Sequence, residues 1–293
     1  MSTPQAPKLS IGMPVHNGGE LICEAIDSLL AQTFTNFELI ISDNASGDET
    51  EAICSEYAAK DQRIRYVRQA ANLGAVANFG FVLSEANGEY FAWAAHDDTW
   101  SNTFFADAIS NLETRRYDFA FPQFEVKSIR FNTSKKYDVE IFSFIQSSDR
   151  RTRVINFLNL HHHSHKCNIV YSVFSKDFLT KCYQVQDISA DGMLAAVILG
   201  IGRGTIIRDA LFSKRYKYFW PGSKDFLYRI YRNNSKAFSL AKKKSKEELE
   251  QLFPEYANEI RTIIDHTTGH FPMKQAIESA SYREMTDGIP IFI

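Results

Sequence analysis

Asp97 and Asp98 are adjacent carboxylates just beyond Tyr90-Phe91-Ala92-Trp93-Ala94, a short apolar run rich in aromatics, with Ala95-His96 between. Such a run reads as a buried strand. Neighbouring carboxylates at its end repel each other and lose hydration, and a cation placed between them and an anionic ligand offsets both costs. Their oxygens suit a hard divalent ion, Mg²⁺ or Mn²⁺, held by one or two carboxylates plus substrate phosphates. The plainer role for Asp98 is an N-cap for the helical stretch from Asn102. Two more polar clusters follow apolar runs: Pro14-Val15-His16-Asn17, and Asp43-Asn44-Ala45-Ser46-Gly47-Asp48.

The elements that must position these clusters alternate strictly. Leu9 to Met13 is the first strand, stopped by Pro14, and Leu21, Ile22, Ala25, Ile26, Leu29 and Leu30 then fall at helical spacing. Phe37 to Ile41 is the second strand. Ser46 and Glu49 have the spacing of a capping box for the helix that presents Ile53, Tyr57 and Ala58. Ile64 to Val67 is the third strand; Val76, Phe79, Leu83 and Ala86 mark the next helix, which Asn87-Gly88 ends as a C-cap. The fourth strand runs into His96. Alternation of this kind builds β-α-β units, hence a parallel sheet with helices on both faces. Ligands of open parallel sheets bind outside the carboxyl ends of the strands. All three polar clusters sit at such ends, and adjacent strands would bring them to one crevice.

The crevice is not a dinucleotide cradle. No G-x-G-x-x-G follows the first strand, and Gly18-Gly19 is followed by Glu20, which repels pyrophosphate. Gly200 to Gly204 ends a helix-like run, and there is no Walker A lysine motif. Acidic strand ends suit a ligand that arrives with a metal, and Asp43 can accept a hydrogen bond from the imide N–H of uracil or thymine.

These residues resemble glycosyltransferase family 2, of the GT-A fold. Ile11 to Asn17 (IGMPVHN) resembles the family's opening strand and turn, Glu38 to Thr50 (ELIISDNASGDET) its Asp-Asp-x-Ser-x-Asp-x-Thr block, Asn72-Leu73-Gly74 its Asn-x-Gly turn, and Tyr90 to Trp100 (YFAWAAHDDTW) its metal-site strand. The resemblance implies a nucleotide-sugar donor, commonly of uridine or thymidine, whose base meets Asp43. It implies donor contacts from Pro14, His16, Asn17, Asn72 and Gly74, and Mn²⁺ or Mg²⁺ on Asp97 with Asp98 beside it. The catalytic base falls on Asp191, ahead of the apolar Gly192 to Leu199, with Asp187 as its rival and an N-cap as the plainer role for either. The reaction implied is a single displacement with inversion at the anomeric carbon.

Three departures stand out. His16 replaces a tyrosine that often stacks on the base, and Ala95-His96 replaces an earlier acidic residue. Tyr218-Phe219-Trp220-Pro221-Gly222-Ser223 keeps Pro-Gly-Ser without the family's basic pair. Two other classes compete. A sugar-phosphate nucleotidyltransferase would need a basic, glycine-rich loop after the first strand, and Pro14 to Glu20 has no Lys or Arg. A non-catalytic nucleotide-sugar-binding protein is the other.

The 293 residues fit an α/β catalytic unit over 1–220 and a mainly helical C-terminal extension over 221–293. A formal charge of −2 gives no reason to expect nucleic acid. Cys23, Cys54, Cys167 and Cys182 lack C-x-x-C spacing and read as reduced packing residues. The polar Met1 to Lys8 is unlike a signal peptide and no stretch is long enough to span a bilayer, so the expected setting is cytoplasmic. Asn102 to Thr114 and Arg151 to Leu160 read as helices; Phe119 to Phe121, Glu125 to Phe131 and Ile169 to Phe174 read as strands. Residues 102–183 read as the acceptor side, where a saccharide or lipid-linked saccharide would dock; within them His161-His162-His163-Ser164-His165 reads as a polar surface loop, with metal ligation or acceptor contact as its functional alternatives. Phe226 to Arg232 with Lys242 to Lys246 would suit peripheral contact with an anionic membrane, or simply a solvated face.

Overall fold

The computed structural model describes residues 6–114, 116–129, 132–160, 165–184, 191–216 and 247–266. Its first half is the expected alternation: β1 (Leu9–Val15), α1 (Leu21–Leu30), β2 (Phe37–Asp43), α2 (Thr50–Lys60), β3 (Ile64–Arg68), α3 (Ala75–Ser84) and β4 (Tyr90–Trp93). These four strands pair in parallel in the order β3-β2-β1-β4. Every residue of β1 is buried, as befits a parallel strand covered on both faces. Ile22, Ala25, Ile26 and Leu29 bury the apolar stripe of α1, each contributing on the order of 1–3 kcal/mol. On the other side Asn78 of α3 exchanges hydrogen bonds with Ser42 of β2, at 2.6 Å to the Ser42 hydroxyl and 3.0 Å to its carbonyl.

Pro14 does not stop β1, which runs on to Val15 opposite Asp43. Alternate residues turn their backbone groups to opposite neighbours. Gly12 faces β4, where Ala94 donates to its carbonyl, and Val15 faces β2, where Asn44 donates to its carbonyl. Pro14 therefore faces the β4 side, beyond the last paired residue there, Trp93 opposite Gly12. No ladder bond is lost.

The second half turns the sheet mixed. β5 (Thr99–Trp100), α4 (Phe104–Glu113), β6 (Phe119–Ser128), β7 (Thr133–Lys136), α5 (Arg150–Asn159), β8 (Val173–Ser175), α6 (Lys176–Tyr183), α7 (Asp191–Ile201) and β9 (Gly204–Tyr216) follow, with a 3₁₀ segment over Val139–Gln146. The order continues β4-β8-β6-β9-β5, with β7 on β6. β8 runs antiparallel to β4 and β6, whereas β6 and β9 are parallel. Phe119 to Ser128 is one strand with a register shift at Pro122/Gln123, not two short ones. The first half of the predicted strand over Ile169 to Phe174 is instead part of a 3₁₀ turn, Lys166–Tyr171, ahead of the three-residue β8. The architecture is a central α/β sheet flanked by helices.

α8 (residues 247–252) and α9 (Ala257–His266) fold back on this body. Leu249, Phe253 and Ile260 are buried, and Phe253 packs so closely on Gly200 that a Cβ there would lie 2.3 Å from its ring. Arg150 pairs with Glu255 at 3.1 Å and Arg151 with Glu259. Cys54 and Cys182 are buried free thiols, pushed up to about 12 by burial, which agrees with packing roles. Residues 161–164, 185–190, 217–246 and 267–293, which hold most of the histidine cluster, Asp187, the Pro-Gly-Ser turn and the lysine run, lie outside the described residues. Among the described residues, no helix is long and apolar enough to cross a membrane.

Gly88 is not a helix C-cap, because α3 ends at Ser84 with Glu85 as its cap. Its value is close approach: an added Cβ would lie 2.6 Å from the Ser10 backbone nitrogen, 2.7 Å from the Leu9 carbonyl carbon and 2.9 Å from the Tyr90 carbonyl oxygen. Backbone on both sides cannot yield as a flexible side chain would. Gly88→Ala should therefore cost about 1–3 kcal/mol, read as a lower urea midpoint with an unchanged m-value; an unaltered midpoint would refute the packing argument.

Candidate active site

Because β3, β2, β1 and β4 are neighbours and parallel, the segments leaving them share one edge of the sheet. The segment after β1 is held by the segment after β2 through its backbone amides. Ser46 Oγ accepts from the Asn17 N–H, Thr50 Oγ1 from Gly18, and Asp48 Oδ2 from Gly19, each at 2.9 Å. Asn17 Oδ1 accepts from the Gly47 N–H in return, also at 2.9 Å. Asn17 and Ala45 sit at φ of +54° and +57°. Left-handed backbone costs roughly 1–2 kcal/mol at a non-glycine residue, and these bonds offset it. The expected capping box is absent: Ser46 serves the β1 loop, Glu49 makes no capping bond, and Asp48 Oδ1 accepts from the Thr50 N–H instead. Burial pushes Asp48 upward, but its hydrogen bonds from Thr50 and Gly19 outweigh this and hold it below the usual carboxylate range.

Asp43 ends β2 fully buried. It accepts from the Ser46 N–H (2.8 Å), the Tyr66 hydroxyl (2.7 Å) and Arg68 Nη1 (2.8 Å). Desolvation opposes ionisation here, yet these three donors lower its pKa. Asn72 Oδ1 accepts from Asn44 Nδ2 and the Gly74 N–H, both at 2.8 Å, and Gly74 takes the φ of +82° that this turn requires. The His16 ring lies 3.3 Å from Asn72 Nδ2 and 3.4 Å from Asn17 Nδ2. Thus Pro14, His16, Asn17, Asp43, Asn72 and Gly74 gather on three adjacent segments. A Cβ on Gly18 would lie 3.3 Å from the His96 ring, which joins this group to the acidic segment after β4.

The two aspartates there diverge. Asp97 is half-buried, and its carboxylate makes no hydrogen bond among the described residues. Asp98 is turned inward at 1 % exposure. Its Oδ1 accepts from the Arg215 backbone N–H at 2.8 Å, while Oδ2 is buried without a hydrogen-bond partner, 4.0 Å from Lys214 Nζ. It caps no helix, since Thr103 precedes α4. Desolvation pushes its carboxyl up to about 7 against the pull of Lys214. Arg215 donates to the Asp97 carbonyl (2.5 Å), to the Leu21 carbonyl (3.2 Å) and to Glu24, clamping the acidic segment onto α1. Asp191 opens α7 as an exposed residue; partial desolvation of its carboxyl raises its pKa, and the charge of Lys214 again opposes the shift.

Lys214 is thus common to Asp97, Asp98 and Asp191. Its ammonium lies 4.6 Å from the Tyr171 ring centroid and 6.0 Å from that of Tyr216. The residue-by-residue reading missed Lys214, Arg215, Tyr171 and Tyr216; the available signal was two adjacent bases, Lys214-Arg215, after an apolar run. Among the described residues, no three His, Cys, Asp or Glu side chains group as a metal cage. The open Asp97 carboxylate and the orphaned Asp98 Oδ2 nonetheless fit a hard cation that takes its remaining ligands from water and phosphate.

The sequence profile described as Glycosyl transferase family 2 matches residues 10–179, more than half of the chain. The chain belongs to glycosyltransferase family 2. A protein of Rickettsia typhi called an uncharacterized glycosyltransferase is 39 % identical over 95 residues, covering 32 % of this chain and 29 % of its own. The Bacillus subtilis protein called uncharacterized glycosyltransferase EpsJ is 32 % identical over 149 residues, covering 50 % and 37 %. The chain therefore spans well under two thirds of these curated relatives. Staphylococcus aureus TarS 1–349 in complex with UDP-GlcNAc superposes with a TM-score of 0.57 at 16 % identity, over 84 % of this chain and 73 % of that one. Mannosyltransferase PcManGT from Pyrobaculum calidifontis, in complex with GDP-Man and Mn²⁺, gives 0.52 at 15 % identity, over 94 % and 79 %. These likenesses establish the GT-A fold of this family member.

The buried Asp98 carboxyl has a pH consequence. A carboxyl whose folded pKa lies above its unfolded value binds more protons folded than unfolded between the two. Its stabilising contribution is complete below about pH 4 and lost as pH rises through about 7. In metal-free buffer the stability of the wild type relative to Asp98→Asn should fall between pH 4.5 and 7.5, by at most about 1.4 kcal/mol per pH unit. Parallel urea-midpoint profiles for the two proteins would contradict this placement of Asp98.

Proposed function

We propose that this chain is an inverting glycosyltransferase that moves a sugar from a nucleotide-diphosphate donor, UDP- or dTDP-linked, to an acceptor hydroxyl. The observation that carries the reading is the Asp97-Asp98 pair, with Asp98 4.0 Å from the Lys214 ammonium, beside the three segments that hold Asn17, Asp43 and Asn72. The UDP-GlcNAc and GDP-Man complexes of its fold neighbours support a nucleotide-sugar donor. In this reading His16 and Asn72 flank the base, with Asp43 beneath them at the end of β2. Pro14, Asn17 and Gly74 shape the same pocket.

Asp97, with Asp98 behind it, would hold Mn²⁺ or Mg²⁺, which when bound supplies Lewis-acid stabilisation to the diphosphate. Asp191 is the base. It takes the proton of the acceptor hydroxyl as that oxygen forms its bond to the anomeric carbon, and the bond from that carbon to the diphosphate breaks with its electron pair leaving on the phosphate oxygen. One carboxylate base and no covalent sugar intermediate make this a single displacement with inversion. The raised pKa of Asp191 moves it toward the pH at which it must accept a proton, which favours a general base. A saccharide or lipid-linked saccharide of a bacterial surface polysaccharide is the acceptor class we favour, reached from the cytoplasmic side where nucleotide sugars are made, with peripheral contact at the inner membrane.

Asp97→Ala should abolish the Mn²⁺-dependent part of UDP binding in calorimetry, because it removes the open carboxylate; unchanged Mn²⁺-dependent affinity would strike Asp97 from the role. Asp191→Asn should leave UDP affinity within about twofold while lowering turnover roughly 10²–10⁴-fold, the typical worth of a general base. Wild-type turnover in that variant would transfer the role elsewhere. Screening UDP-, dTDP- and GDP-sugars for thermal stabilisation with Mn²⁺ identifies the donor, and stabilisation by none of them overturns the proposal.

A further inference from the structure

Lys214 is a cation with unused donors. An ammonium carries three N–H groups and no acceptor. Its side chain keeps only 18 % of its surface, and among the described residues nothing accepts a hydrogen bond from it. The nearest carboxylate oxygen, Asp98 Oδ2, is 4.0 Å away, beyond hydrogen-bond range. The faces of Tyr171 and Tyr216 attract the charge without taking its protons. Arg215, its neighbour in β9, by contrast uses each of its three guanidinium nitrogens, on the Asp97 carbonyl, Glu24 and the Leu21 carbonyl. A desolvated ammonium with empty donors, held beside an equally unpartnered carboxylate oxygen, is completed by an anionic oxygen ligand entering the same crevice.

We propose that Lys214 donates hydrogen bonds to the diphosphate of the bound nucleotide sugar and remains on that diphosphate as it leaves, a protein-borne cation additional to any divalent ion. The proposal rests on the nucleotide-sugar reading above. Two features set it apart from a simple ion pair with Asp98. The geometry leaves Asp98 Oδ2 and Lys214 Nζ separated, although both side chains belong to well-packed segments. The charge of Lys214 also acts on Asp97 and Asp191. A consequence is that part of the affinity for a nucleoside diphosphate does not require metal.

The test compares UDP with uridine by calorimetry in EDTA, because the difference between them isolates the diphosphate. Wild-type protein should prefer UDP. Lys214→Met and Lys214→Gln should each reduce that preference about 10–100-fold with uridine affinity unchanged, and Lys214→Arg should restore most of it, since charge-assisted hydrogen bonds are among the stronger ones. Thermal melts of each variant show that it is folded, and the glutamine variant serves should the methionine variant fail to fold. An equal UDP-to-uridine ratio in wild type and Lys214→Gln would overturn the role of Lys214 while leaving the transferase reading intact. Failure of the wild type to bind UDP, GDP or dTDP even with Mn²⁺ would overturn both.

Discussion

Burial of the Asp98 carboxylate is the constraint on which this acidic edge of the sheet depends. An ionised carboxylate withdrawn from water costs several kcal/mol unless nearby donors and charges compensate. Here the compensation comes from 117 residues away, through the backbone N–H of Arg215 and the ammonium of Lys214. The same strand end grips the Asp97 carbonyl and the first turn of α1 through the Arg215 guanidinium. Asp97 is thereby held outward with its carboxylate open. A buried carboxylate and a half-buried one are held side by side, and β9 is the element that makes this possible.

The opposite side of the crevice is fixed by a different device. The Ser46, Asp48 and Thr50 side chains are spent on the backbone amides of residues 17, 18 and 19. Short polar side chains are suited to this, because they reach backbone donors with little loss of rotamer freedom. Asp43 is likewise occupied, by the Ser46 amide, Tyr66 and Arg68. The acidic and hydroxylic residues of this block thus act first as a lock between the ends of β1 and β2. His16, Asn72 and the glycine turn at Gly74 lie beside this lock.

The mixed half of the sheet explains how so few strands carry both jobs. β8 turns the sheet antiparallel after β4, and the parallel pair β6–β9 then brings the far end of β9 back toward the β4 edge, where β5 seals it. The aromatic core follows the same path. Trp93 packs edge-on against Phe91 at 5.2 Å and Phe174 at 6.4 Å, and Phe119 and Phe174 meet at 5.8 Å across β8 and β6. Rings of this size joined across successive strands leave little freedom for the acidic segment to shift relative to β9.

From sequence alone the parallel β-α-β run to Trp93, the apolar stripe of α1 and the shared edge for residues 14–17, 43–48 and 96–98 were legible. Each is a local periodicity or a strand-end position, and the order β2-β1-β4 then made the convergence real. Where local pattern misled, a tertiary partner was the reason. Pro14 continues its strand because β4 has already ended beside it, Ser46 serves another loop's amide rather than its own helix, and the apolar Ile169-Val170 is buried without joining the sheet. The roles of Asp98, Lys214 and Arg215 were decided by folding alone. Their chemistry arises from contact between residues more than a hundred positions apart, and no window of sequence contains both partners.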